Sequence, residues 1–157
     1  MTWIKTNFLW MMYRCGWGNK DSNQERVLAI RLSRDGFDEI LHRAVSASSA
    51  PYLIQSSDVR LQWDPDHYPD GTSHPTRRAI QLGLRGNTLE QFLGEWILGI
   101  EDITPFVHEQ YTQNCVTRQW DKLIIPRERE YIVNDANTIK NVGLDVGPMN
   151  AGPDSIV

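Results

Sequence analysis

A chain of 157 residues has room for one domain with a proper core and little room for two. Its balance of 40% apolar and 23% charged residues is that of a soluble globular protein, and a net charge of −4 argues against a general nucleic-acid binder. Cys15 and Cys115 lie far apart, without metal or redox spacing, and read as reduced thiols in an intracellular protein.

The charge is unevenly spread. Residues 1–34 hold six Lys/Arg against two Asp/Glu, whereas the later two thirds are acidic. A basic beginning attracts an anionic ligand, though through a weak field that salt screens easily. The longest apolar run there, Phe8 to Tyr13, is six residues, too short for a membrane span or a signal peptide. A soluble, cytoplasmic protein without a membrane partner is the expectation.

In chain order, "MTWIKTNFLWMMYRCGW" predicts a short helix, capped by Thr6 or Asn7 and stopped at Gly16. Its apolar residues run all the way round, as in a helix buried on most sides. "RVLAIRLS" alternates as a strand with one face fully buried. "RDGFDEILHRAVSAS" spaces Phe37, Ile40, Leu41 and Ala44 as a helix over roughly 36–47, with Asp35 as cap. "SSDVRLQWD" reads as a half-buried strand and Pro65–Thr76, with three prolines and a glycine, as a loop.

"RRAIQLGLRG" (Arg77–Gly86) gives another strand, a second partner for "VRLQW". A capping box of Asn87 and Glu90 opens a helix with Leu89, Phe92, Leu93, Trp96 and Ile97 on one face. "EDITPFVHEQY" adds a short strand or turn, then a helix begun by Pro105. Residues 134–157 are polar and rich in Gly, Asn and Pro, which predicts a disordered tail after a single domain over 1–133. The element order indicates α+β: a small mixed or antiparallel sheet packed with three to four helices.

Five ordered blocks, "MTWIKTNFLWMMYRCGWGNK", "QERVLAIRLSRDGF", "VRLQWDPD", "RRAIQLGLRG" and "EWILGIEDITPFV", resemble the family catalogued as domain of unknown function 4291. The resemblance covers about residues 1–107 and implies a shared fold and a shared site, not an activity. Members usually carry a further strand and helix before the block matching "MTWIK", so the resemblance implies a fold without that edge element. Where many members read Lys-Pro-Ser, this chain has Lys5-Thr6-Asn7, which keeps the polar cap.

Candidate chemistry gathers in three places. In the opening block, Trp3, Trp10 and Trp17 would stack on a planar ligand while Lys5 and Arg14 hold phosphate or carboxylate. Helical spacing puts Arg14 between the indoles of Trp10 and Trp17. The competing reading is plain core, with the cations reaching solvent by their long stems. In "QWDPD", Gln62 and Asp64 end a strand, where Asp64 serves as a general base or merely caps a turn at Pro65.

On "RRAIQ", alternation places Arg77 with Gln81 and turns Arg78 toward the apolar set. There Arg78 would need a carboxylate from Glu95, Glu101 or Asp102. Asp64, Asp66, His67, Asp70 and His74 match no established metal cage, so no metal is expected, and no cofactor is indicated.

Two functions from different classes follow. In the first, Lys5, Arg14 and Arg78 receive the anionic part of a nucleotide or other small ligand, and Trp10 or Trp17 the planar part. Gln62 and Gln81 line the site, and Asp64 and Glu95 are its candidate catalytic groups. A transferase of the ADP-ribosyltransferase kind is one version, by analogy of size and residue type. The second is a non-catalytic module that binds a nucleic-acid end or a protein through the same aromatics.

Overall fold

The structure, a computed structural model, describes residues 1–144. Two sheets and six short helices make an α+β domain. The larger sheet is built from β1 (Thr2–Lys5), β3 (Ala44–Ser46), β4 (Val59–His67) and β5 (Ser73–Leu84), in the order β1-β5-β4-β3. It is mixed: β5 runs antiparallel to both β1 and β4, while β3 runs parallel to β4. The smaller is an antiparallel ribbon of β2 (Leu28–Leu32) and β6 (Ile97–Asp102).

β4 and β5 form the spine because their residues alternate. Val59 and Leu61 face Leu84 and Leu82 on one side; Gln62 and Asp64 face Gln81 and Ala79 on the other. The apolar side packs beneath α2 (Arg34–His42), α4 (Gly86–Gln91) and α6 (Ala136–Val142). There Ile40, Leu41, Phe92 and Val142 close the first core cluster. The polar side faces α1 (Phe8–Cys15). The remaining helices are α3 (Pro51–Ser56) and α5 (Thr104–Gln110), the latter with Pro105 in its first turn as expected.

A second cluster gathers Met12, Cys15, Trp17, Val27, Val107 and Cys115. Helix α1 belongs to both halves: Met12 and Cys15 enter this cluster, while Trp10, Tyr13 and Arg14 lie toward the sheet. It ends where glycine permits a left-handed turn, at Gly16 with φ of 57°, whose N–H caps the Met12 and Tyr13 carbonyls.

Several expectations need correction. Residues 2–5 form a strand that the helical reading of the opening block passed over. Pro65 does not end β4. Strand β3 pairs only with residues 59–61, so farther along β4 is an edge, where a missing N–H costs no ladder bond. The loop thereby shrinks to residues 68–72.

The second helix ends at His42, and β3 follows. Its cap is Ser33, whose hydroxyl accepts the Gly36 N–H, with Asp35 in the first turn. Gly36 is where α2 meets the Trp96 ring; a Cβ there would come within 2.4 Å of it. The capping box at Asn87 does not form either. The Asp58 carboxylate sits at the start of α4 and accepts the Thr88 N–H. A π-helical turn over Phe92–Trp96 then widens the helix, which buries Phe92 and leaves Leu93 exposed.

The described start of the tail also departs from expectation. Helix α6 is capped by Asp135, whose carboxylate accepts the Thr138 N–H at 2.7 Å, and it buries Thr138 and Val142. Residues 145–157 lie outside the described part.

Candidate ligand-binding face

The cross-strand register assembles the site. Lys5 of β1 stands opposite Gln81 of β5, which stands opposite Gln62 of β4, so three polar side chains form one row across the sheet. Both amides converge on the next residue of that face. Gln81 Nε2 donates to Asp64 Oδ2 at 2.6 Å, and Gln62 Nε2 donates to Asp64 Oδ1 at 2.9 Å. Asp64 thus makes no turn at Pro65, and both its oxygens are engaged, unlike those of a free general base.

Lys5 lies between two indoles. Its Nζ is 5.3 Å from the Trp10 ring centroid and 5.9 Å from that of Trp3. Partial burial lowers its pKa, with Arg14 pushing the same way and Asp64 opposing. The indole faces favour the charged form and so work against the desolvation. Trp10 is buried, while Trp3 is 37% exposed and reaches over Gly83. A Cβ at Gly83 would stand 3.0 Å from the Trp3 ring; its absence lets the indole approach the strand.

On either side of this row the same face carries further groups, of which the sequence reading did not single out Arg60. Arg60 shares a row with Gly83 and Trp3. Asp66, 6% exposed, pairs with Arg77, whose Nε is 3.3 Å from Asp66 Oδ2 but not directed well enough for a hydrogen bond. Among the described residues, Arg60 Nε, Arg77 Nε and His67 Nδ1 are buried without a hydrogen-bond partner. Tyr13 stacks on His67 with centroids 3.8 Å apart.

Glu128 arrives from the far end of the chain. Its Oε1 accepts the Phe8 N–H at 2.7 Å, and its Oε2 takes a longer bond from Asn7 Nδ2. It supplies the cap that the Asn7 side chain does not. Burial raises its pKa, opposed by the Phe8 N–H; the Asp66 charge raises it further and Arg77 opposes.

Three expected site residues are elsewhere. Trp17 follows Gly16 with φ of 55°, which swings it off the helix face into the second cluster, edge-on to Phe8. It therefore cannot sandwich Arg14 with Trp10; the cation over Trp10 is Lys5. Arg78 points to the other face, opposite Pro65, and is exposed beyond the end of the core. Asp102, one of its expected partners, pairs instead with Arg26. Glu95 is exposed on the π-helical turn, across the sheet from Lys5.

The acidic and histidine residues of the Pro-rich stretch are engaged locally. Asp70 accepts the Thr72 N–H, and His74 Nδ1 accepts the Arg77 N–H. No three His, Cys, Asp or Glu side chains converge as metal ligands among the described residues. Two surface hollows, one beside His108 and one beside His42, share no residue with the polar sheet face.

The molecule is thus an α+β domain whose main sheet carries an open, cationic face walled by indoles. A sequence profile for the family described as domain of unknown function (DUF4291) matches residues 1–131, beyond the five blocks noted above. The chain belongs to that family. No curated protein and no solved structure matches it.

Proposed function

We propose that the protein binds a small anionic ligand, of the size and charge of a nucleotide, on the polar face of the larger sheet. The observation that carries this is Lys5, fixed between Trp3 and Trp10 beside Arg14, with Trp3 37% exposed. Arg60 adds a further positive charge to the same face, on the row of Gly83 and Trp3, whereas Arg77 is turned toward Asp66. Phosphate or carboxylate oxygens suit such cations, and Trp3 offers a stacking surface for a base.

The reading stops at binding. Asp64 is engaged by two amides, and Glu95, which the transferase version needs beside the cations, lies across the sheet. The face is open, as in a recognition surface.

Thermal unfolding of the whole chain with AMP, ADP, NAD and inorganic phosphate tests the proposal. A ligand at 100 times its Kd adds about 2.7 kcal/mol, visible as a clear rise in Tm. Arg14→Ala and Lys5→Ala should remove that rise. Arg14 is exposed, so Arg14→Ala should leave the stability of the free protein within about 0.5 kcal/mol. Stabilisation by oligonucleotides alone would favour the nucleic-acid module instead. No response to any of these ligands would end the reading.

A further inference from the structure

The ribbon of β2 and β6 is secured at both ends and bare between them. At one end the Ile103 N–H donates to the Val27 carbonyl, and Val27 and Ile103 sink into the second cluster. At the other, the Ser33 N–H donates to the Trp96 carbonyl, and Leu32 and Ile97 pack on the first. Between these anchors both faces are open. Ala29, Arg31 and Glu101 are exposed on one; Leu28, Ile30, Leu98 and Ile100 are 51%, 37%, 62% and 58% exposed on the other.

The four aliphatic residues form one patch, with Ile30 directly opposite Ile100 and Leu28 opposite Asp102. Arg26 closes that end of the patch by pairing with Asp102 at 2.8 Å. Two strands alone are marginal in water, and a contiguous apolar patch of about 300 Å² or more marks an interaction surface.

We propose that this face joins two copies of the chain, stacked ribbon on ribbon about a twofold axis parallel to the strands. That axis lays β2 of one copy over β6 of the other, so aliphatic side chains meet aliphatic side chains. It also sets each Arg26 above the partner's Asp102. The patch is therefore complementary to itself in both apolarity and charge, as an isologous interface requires. Arg26 and Asp102 have side chains 79% and 40% exposed and are free to exchange partners. Two such patches with their polar rims bury about 1,000 Å² in total, the low end for specific association. The dimer is accordingly reversible, with a Kd of the order of micromolar.

Sedimentation of the whole chain from about 5 to 500 µM should show a concentration-dependent monomer–dimer equilibrium. Leu98→Glu, at an exposed position, should weaken it at least about tenfold with an unchanged circular dichroism spectrum. Arg26→Asp and Asp102→Arg should each weaken self-association, because each sets like charges across the axis. Mixing those two variants should restore association as a heterodimer, since both crossed pairs become opposite in charge.

A chain that stays monomeric throughout the range overturns the proposal, whatever else covers the patch. So does a dimer indifferent to Leu98→Glu. If Leu98→Glu fails to fold, the mixing experiment decides alone: no heterodimer, or charge variants that self-associate like the parent, defeats the twofold arrangement.

Discussion

Glu128 carries a charge that the fold disfavours and a position that it needs. Its side chain is half-buried beside Asp66 yet caps the first turn of α1. A carboxyl pKa raised in the folded state means that the native protein holds its proton more firmly than the unfolded chain. The stability this contributes is fully present below the unfolded pKa and is lost as pH rises through the folded one. In Glu128→Gln the amide carbonyl can still accept the Phe8 N–H, while the titration disappears. Urea unfolding between about pH 4 and 7 should show the variant gaining on the parent as pH rises. A constant difference across that range would contradict the assignment. No sequence signal pointed here, because Glu128 lies 120 residues from its partner in an irregular stretch.

At the scale of elements, local pattern was a good guide wherever one face had to be buried. The pairing of β4 with β5 was legible for that reason, and the Gly16 stop and the Pro105 start because glycine and proline dictate local backbone geometry. Strand β1 was not. Thr2, Trp3 and Ile4 are strand formers, but the stretch is only four residues long and runs straight into the apolar helix, so the helical reading absorbed it; β5 offers the edge to which it pairs. The alternation in β2 was read correctly as a strand, but the face expected to be buried is open to solvent. Of the site, Lys5, Trp10, Arg14, Gln62, Asp64 and Gln81 come together; cross-strand register does this, which single segments do not reveal.

Trp17 illustrates the converse, since heptad spacing from Trp10 suggested a shared face and one left-handed residue breaks it. Trp17→Ala should cost about 3–5 kcal/mol in denaturant unfolding, as a buried aromatic does. Trp3→Ala should cost far less and instead remove ligand-induced stabilisation. Equal losses of stability in the two variants would blur the division between core and site drawn here.

For the molecule as a whole, the order of elements indicated the α+β class, while composition did not foresee the helix over Ala136–Val142. The polar stretch that begins at residue 134 nevertheless places one apolar side chain, Val142, in the first cluster, and Val133 just before it packs against that cluster. Trp63 donates its indole N–H to the Val142 carbonyl at 2.8 Å, which ties α6 to the spine. Ending the chain at residue 133 should therefore lower stability by at least about 2 kcal/mol and shift Trp63 emission toward the red. An unchanged urea midpoint would show that α6 adds nothing.

Helix α1 has one flank in the Met12–Cys15 cluster and another against the spine strands. Neither half of the interior can come apart without dragging this eight-residue rod away from the other. Melting should consequently be a shared event, and hydrogen exchange should show the amide protons of Met11 to Cys15 among the slowest in the protein.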